Sequence, residues 1–254
     1  MDARQQILGV IPARFGSTRF PGKPLTLIAG RSLVARVYER ARQASELSRV
    51  LVATDDKRIA EHCEELGIEA VMTAQTHRSG TDRVAEVAER FPAFGYVNIQ
   101  GDEPMIPPAA IDSLVQTARA ASAGIATLVC PIAPQENALL EDPNVVKVVQ
   151  ALDGHALYFS RLPVPFPRHP ESARYYQHIG IYYFTREALQ DFAALTATPL
   201  ELTESLEQLR ALEHGRRILT VEFPYRPLSV DTPDDVALVE ARLAEEDRKD
   251  HQPQ

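Results

Sequence analysis

The chain has 254 residues and only two cysteines, Cys63 and Cys130, whose separation fits no zinc-ligand spacing. Both sit in apolar or helical surroundings and read as inert thiols. Met1 to Gln6 leads straight into an apolar run with no secretory leader, and few cysteines without a leader point to a reducing cytoplasm. No apolar stretch approaches the length of a membrane span, which excludes a helical membrane anchor. No Gly-x-Gly-x-x-Gly run occurs, so the dinucleotide fingerprint is missing. There is no internal repeat and no surplus of positive charge. The formal net charge of −8 argues against a nucleic-acid binder but leaves room for a small anion wherever cations are concentrated locally. An apolar fraction of 44% and a charged fraction of 24% are those of a globular chain able to form one large domain or two small ones.

Local positive charge is found near the start. Ile7 to Ile11 is a β-rich apolar run that stops at Pro12, and the loop to Leu25 carries Gly16, Gly22, Ser17, Thr18, Arg14, Arg19 and Lys23. Glycine lets backbone N–H groups approach an oxyanion, and the cations supply charge, so this loop predicts a polyphosphate site at the carboxyl end of a first strand. It is not a Walker loop. Five residues separate Gly16 from Gly22, and Pro24 stands where that motif needs a hydroxyl.

Hydrophobic spacing predicts strands at 49–53, 70–72, 96–100 and 125–130, with helices between them. One helix spans about 57–66 and stops at Gly67; another spans about 81–91. This alternation is that of an α/β protein with a doubly wound, mostly parallel sheet. Residues 145–149, 156–159 and 179–184 are β-rich with few helical signals between them, and Pro163, Pro165, Pro167 and Pro170 fill one connector. The reading is a single domain over 1–254, with a smaller β-rich subdomain at about 131–185. Helices follow at about 186–195, 202–214 and 233–243, a strand at 218–223, and a frayed tail begins at about 245.

Asp102 ends the strand at 97–100, where a carboxylate points into the crevice that binds ligands in α/β proteins. Asp231 offers a second carboxylate next to a helix start, and two carboxylates with phosphate oxygens suit magnesium. Asp234 and Asp235 read as helix capping. Ser79 to Arg83 reads equally as an ordinary helix N-cap, with Arg83 paired to an Asp or Glu of the same helix, and as a pocket wall. Arg161, His178, Glu207 and Gln208 are not assignable from spacing. A lone histidine beside tyrosines is usually structural, and Glu207 and Gln208 read as solvated residues of an amphipathic helix.

The run from Ala13 to Leu25 resembles the nucleotide loop of the CMP-sugar-acid synthetases. The resemblance continues in order through Ser79–Arg83, Asn98–Pro104, Tyr158–Arg161, His178–Tyr182, Leu206–Arg210 and Val230–Asp235, and the middle and late motifs favour the branch that acts on 3-deoxy-manno-octulosonate (Kdo). It implies a nucleotidyltransferase-like fold that moves a cytidylyl group from CTP to Kdo, releasing pyrophosphate and serving lipopolysaccharide synthesis. It also implies Mg2+ as cofactor and a homodimer formed through the β-rich insertion. Arg14 and Lys23 would hold the phosphates and act in catalysis with Asp102. Ser79, Gly80 and Arg83 would shape the nucleotide pocket, and Asp102 and Asp231 would bind the metal. Gln100, Arg161, His178, Tyr182, Glu207 and Gln208 would surround the sugar acid, with Arg161 meeting its carboxylate. The chain departs from some members in a shorter proline-rich connector at Leu162–Arg174. The other readings to weigh are a sialic-acid cytidylyltransferase, a sugar-1-phosphate nucleotidylyltransferase and a non-catalytic nucleotide-binding module.

Overall fold

The computed structural model describes residues 5–16, 20–133 and 135–250, the side chains of 247, 249 and 250 excepted. Ser17, Thr18 and Arg19 of the first loop lie outside the described residues. The chain divides into two compact units, residues 1–111 with 227–254, and residues 112–226.

In the first unit, β1 (Ile7–Ala13) leads to a small hairpin of β2 (Leu27–Ile28) and β3 (Arg31–Ser32). Next come α1 (Leu33–Ala41), β4 (Arg49–Thr54), α2 (Lys57–Glu65), β5 (Ala70–Met72), α3 (Gly80–Arg90) and β6 (Gly95–Asn98). β1 pairs in parallel with β4 on one side and β6 on the other, and β4 pairs in parallel with β5. The chain therefore winds outward from β1 to β5 and then returns to the opposite side of β1. That reversal is a topological switch point between β1 and β6, where a crevice opens at the strands' carboxyl ends. This is the parallel α/β arrangement that the sequence predicts.

The local chemistry explains the elements. β1 and β4 are near-continuous apolar runs because helices cover both faces of a parallel sheet. Ser32 caps α1 by accepting from the Ala35 amide, and Leu33, Val34 and Val37 on that helix are fully buried. α2 is followed by Gly67 at φ 67°, the predicted stop. Gly101 is needed for its size: a Cβ there would lie 2.7 Å from the Pro12 carbonyl oxygen, so only glycine lets the turn after β6 pass the end of β1.

The helix α4 (Pro108–Ala120) carries the chain into the second unit. There the elements are β7 (Ile125–Ile132), α5 (Asn137–Glu141), β8 (Lys147–Gln150), β9 (Ala156–Ser160) and β10 (Tyr175–Thr185). They are followed by α6 (Arg186–Ala194), α7 (Pro199–Glu204), α8 (Leu209–Glu213) and β11 (Leu219–Glu222). β7 pairs in parallel with β11 and antiparallel with β10; β8 is antiparallel to both β10 and β9. The β-rich segment read at about 131–185 lies inside this unit. The proline-rich connector holds one short 3-10 turn, Pro170–Ser172.

Two expectations change. The helix read over 202–214 is broken into α7 and α8, because Ser205 adopts a left-handed backbone (φ 53°) that ends α7. Glu207 and Gln208 therefore lie in a turn and not on a helix face. The last helix, α9 (Pro233–Asp250), runs on through the segment read as frayed from 245. Glu246 pairs with Arg40 at 2.7 Å and the Ala29 amide donates to Glu240 at 2.7 Å, so α9 is tied to the first unit along its length.

Candidate active site

Lys23 is placed by a tight turn. Gly22 takes a left-handed backbone (φ 74°) that a side chain would strain, and its amide donates to the Phe15 carbonyl at 3.0 Å. The amides of Leu25 and Thr26 close a single 3-10 turn on Gly22 and Lys23, and Pro24 is buried beneath it. The Lys23 ammonium then projects between two carboxylates, 2.9 Å from Asp102 Oδ2 and 3.4 Å from Asp231 Oδ1.

These two acids are 129 positions apart in the chain, as the numbers 102 and 231 give, yet they converge. The Val230 amide donates to the Asp102 carbonyl at 2.9 Å and locks the two segments together. Asp235 fixes the second segment by accepting from the Asp231 and Thr232 amides and the Thr232 hydroxyl, at 2.9, 2.7 and 2.9 Å. Burial pushes the Asp235 carboxyl up, but these hydrogen bonds and the nearby Lys23 charge outweigh it and hold the group below its ordinary value. The capping role read for Asp235 is the one it plays.

A cleft of about 270 Å³ opens here, lined by Arg14, Lys23, Ser79, Gly80, Arg83, Gln100, Asp102 and Asp231. Arg14, Lys23, Ser79, Gly80, Arg83, Asp102 and Asp231, named from the sequence for phosphate, nucleotide or metal, are on its wall, whereas Arg19 of the same loop lies outside the described residues. Arg14 is exposed at the end of β1, and among the described residues none pairs with it. Ser79 caps α3: its hydroxyl accepts from the Asp82 amide at 3.1 Å, while Asp82 accepts from the Ser79 amide at 3.2 Å. Arg83 is buried and committed, donating to Asp55 at 3.0 Å, to the Thr73 hydroxyl at 2.5 Å and to the Ala74 carbonyl at 3.3 Å. Its carboxylate partner lies outside its own helix, and its guanidinium props the wall. Gln100 lies with this set.

Sequence reasoning missed Arg78 and His77, which also line the cleft. The Arg78 side chain is exposed and adds a cation beside the Ser79 cap; its position just before a capping box was the available signal. His77 is tied to Glu86 at 2.6 Å.

The remaining sequence-named residues belong to the second unit. His178 and Tyr182 lie on β10 with ring centroids 5.4 Å apart, and Phe159 meets His178 edge-on at 5.1 Å. Burial pushes the His178 imidazole down to about 3. Burial also raises the Tyr182 phenol well above its ordinary value, with the Glu207 charge as the next cause and Thr127 opposing. Gln208 is 7% exposed, and its Nε2 is buried without a hydrogen-bond partner among the described residues. A buried amide donor left in this way favours a polar ligand.

Arg161 is more constrained than its expected role requires. It donates to the carbonyls of Glu204, Pro143 and Ser205 at 2.7, 2.9 and 3.2 Å, so it staples loops together. Lys147, unnoticed within an apolar run, is fully buried and donates to the carbonyls of Asp142, Val145 and Arg161. Cys63 and Cys130 are free and buried, and burial raises both thiols, Cys63 to about 11, as inert thiols require.

The donor set suits a hard cation. Two carboxylates already gather around one positive charge, and triphosphate oxygens would complete an oxygen shell. Among the described residues no cluster of three or more His, Cys, Asp or Glu forms an all-protein metal cage.

Residues 8–218 match the cytidylyltransferase family. The chain belongs to this family. A 3-deoxy-manno-octulosonate cytidylyltransferase of Syntrophotalea carbinolica is 47% identical over 247 residues, covering 93% of this chain and 98% of the relative. One of Escherichia coli is 45% identical over 238 residues, with 93% and 96% covered. Among solved structures, a CMP:2-keto-3-deoxy-manno-octonic acid synthetase complexed with CTP superposes with a TM-score of 0.90 at 44% identity, covering 95% of this chain and 99% of that one. A Leptospira borgpetersenii cytidylyltransferase, at a TM-score of 0.62 and 16% identity, shares the fold. This cytidylyltransferase is thus a nucleotidyltransferase enzyme with a parallel α/β nucleotide unit. No helix among its described residues is long and apolar enough to cross a membrane.

Proposed function

We propose that this cytidylyltransferase transfers the cytidylyl group of CTP to 3-deoxy-manno-octulosonate, giving CMP-Kdo and pyrophosphate. The observation that carries this reading is the convergence of Asp102 and Asp231 on the Lys23 ammonium, in a cleft at the switch point of the parallel sheet.

The chemistry follows from the residues. The anomeric hydroxyl of the sugar acid attacks the α-phosphorus of CTP in line and gives up its proton to solvent, the bond to the β-phosphate bridging oxygen breaks, and pyrophosphate leaves with that electron pair. Both substrates are anionic, so charge repulsion is a main obstacle. Arg14, Arg78 and Lys23 would bind the phosphates and stabilise the charge that develops on them. Asp102 and Asp231 would hold Mg2+, which when bound neutralises phosphate charge and lowers the pKa of an attacking hydroxyl. Arg83 would act by holding the wall through Asp55 and Thr73. His178, Tyr182, Glu207 and Gln208 would receive the polyhydroxylated acid by hydrogen bonds. No protein side chain forms a covalent bond to substrate.

The second unit exposes the large apolar side chains of Leu152, Leu157, Leu162, Phe166 and Leu202, which a second copy would cover. That supports a homodimer formed through this β-rich unit. Sedimentation of the wild type and of Phe166→Asp tests it: a wild-type monomer at micromolar concentration rejects the dimer. A cytoplasmic role in supplying the activated sugar for lipopolysaccharide completes the reading, consistent with two free, buried cysteines.

The test of function is pyrophosphate release with CTP and Mg2+ and a panel of acceptors. Kdo should support turnover, whereas sialic acid and a sugar 1-phosphate should not. Release with sialic acid and none with Kdo would transfer the chain to the sialic-acid branch, and binding of CTP without release under any condition would make it a binding module.

A further inference from the structure

Thr127 lies on β7 opposite Tyr182 of β10, where the strand register slips between Ile179 and Tyr182. The slip brings two carbonyls to one hydroxyl. Thr127 Oγ1 is 3.0 Å from the Ile179 oxygen and 2.8 Å from the Ile181 oxygen. The same Oγ1 is 3.1 Å from His178 Nε2. A hydroxyl has one proton, and a carbonyl oxygen only accepts. With its one proton directed to one of these carbonyls, Thr127 accepts from the imidazole. In that arrangement Nε2 carries the hydrogen, and the lone pair of the neutral ring is left on Nδ1.

The surroundings support this assignment. Thr127 is fully buried, and Phe159 and Tyr182 flank the ring at 5.1 and 5.4 Å between centroids. By area the residue as a whole is of intermediate burial. Its desolvation keeps it neutral at ordinary pH, with a pKa of about 3. Among the described residues none hydrogen-bonds Nδ1.

We propose that Thr127 is a positioning residue: it fixes the Nε2-protonated tautomer of His178 and thereby makes Nδ1 an acceptor for one hydroxyl of the sugar acid. This rests on the proposed Kdo reaction. A histidine held in this way is neither the proton donor of the reaction nor a cation for the substrate carboxylate. It selects a ligand that presents a hydroxyl at that position, and an analogue lacking that hydroxyl leaves the ring nitrogen unpaired.

The experiment is a two-bond proton–nitrogen NMR spectrum of the 15N-labelled full chain, with His178→Gln to assign the signal, alongside steady-state kinetics. Wild type and Thr127→Ser should show the Nε2-protonated pattern, and Thr127→Val should lose it. KM for Kdo should rise about fivefold to tenfold in Thr127→Val, the worth of one neutral hydrogen bond, while KM for CTP and kcat change little and Thr127→Ser restores the wild-type value. An Nδ1-protonated ring in the wild type overturns the proposal whether or not the valine variant folds. So does an unchanged KM for Kdo in a folded Thr127→Val whose tautomer has changed. Absence of Kdo-dependent pyrophosphate release in the wild type rejects the substrate reading and the hydroxyl partner with it, while the spectrum alone still decides the tautomer.

Discussion

Replacing Lys23 by Met keeps the aliphatic stem and removes the ammonium. Opposite charges 4 Å apart at an effective dielectric near 20 attract by about 4 kcal/mol. Here solvent reduces that figure: the Lys23 side chain is 15% exposed, Asp102 28% and Asp231 45%. Exposed pairs of this kind contribute about 1 kcal/mol or less each, so Lys23→Met should lower folding stability by roughly 1–2 kcal/mol in urea titrations. The same energy opposes a divalent cation that enters between the two acids. Without the ammonium, Mn2+ affinity in the absence of CTP should rise by roughly fivefold to thirtyfold, read by calorimetry. Turnover should move the other way. Loss of one electrostatic contact to a reacting phosphate costs about 3–4 kcal/mol, or roughly 100- to 1000-fold in kcat. The signature is thus tighter metal and slower chemistry in one folded variant. Unchanged Mn2+ affinity together with near-normal turnover would refute both the bridging position of Lys23 and its role on the phosphates.

Asp102→Asn should abolish metal-dependent turnover without unfolding the chain, as checked by circular dichroism; full rescue by high Mg2+ would reduce Asp102 to a minor ligand. Arg83→Met leaves Asp55 without its guanidinium partner, and with the pair 4% and 19% exposed the loss should be about 3 kcal/mol of stability. An equally stable Arg83→Met with a raised KM for CTP would make Arg83 a direct ligand and not a prop. The His178 pKa of about 3, against an ordinary 6.5, means that between these values the unfolded chain binds a proton that the folded chain does not. Its contribution is therefore complete above pH 6.5 and is lost on acidification, at up to about 1.4 kcal/mol per pH unit. His178→Gln should remove that slope in urea titrations run from pH 7 to pH 4; parallel slopes for variant and wild type contradict a neutral, enclosed imidazole.

Local signals carried much of the architecture. Apolar runs and a turn glycine revealed β1, β4, α2 and Gly67, and a carboxylate at the end of a parallel strand led to Asp102. Asp231 was legible as a partner only because magnesium chemistry wants a second oxygen donor; the Val230–Asp102 backbone bond that brings it there has no local signature. Arg83 was left between two readings, and its partner Asp55 lies 28 positions away, beyond the reach of helical spacing. Glu207 and Gln208 looked like helix-face residues because the left-handed conformation of Ser205, a non-glycine, leaves no mark in the composition. Lys147 was hidden for the opposite reason. Flanking valines announced a strand, while the three carbonyls that solvate its ammonium come from three separate positions. The tail from Glu245 read as frayed because it is polar, but α9 is held by ion pairs and needs no apolar face there.

The central claim is that Asp102 and Asp231 grip a divalent cation on the triphosphate while Lys23 moves onto phosphate oxygen. Anomalous diffraction from crystals grown with Mn2+ and a non-hydrolysable CTP analogue tests it directly. The expected map has a Mn2+ peak within about 2–2.5 Å of an oxygen of each aspartate, with the Lys23 nitrogen off both carboxylates and on a phosphate. A bound nucleotide whose metal touches neither aspartate, or a Lys23 still seated between them, would contradict it.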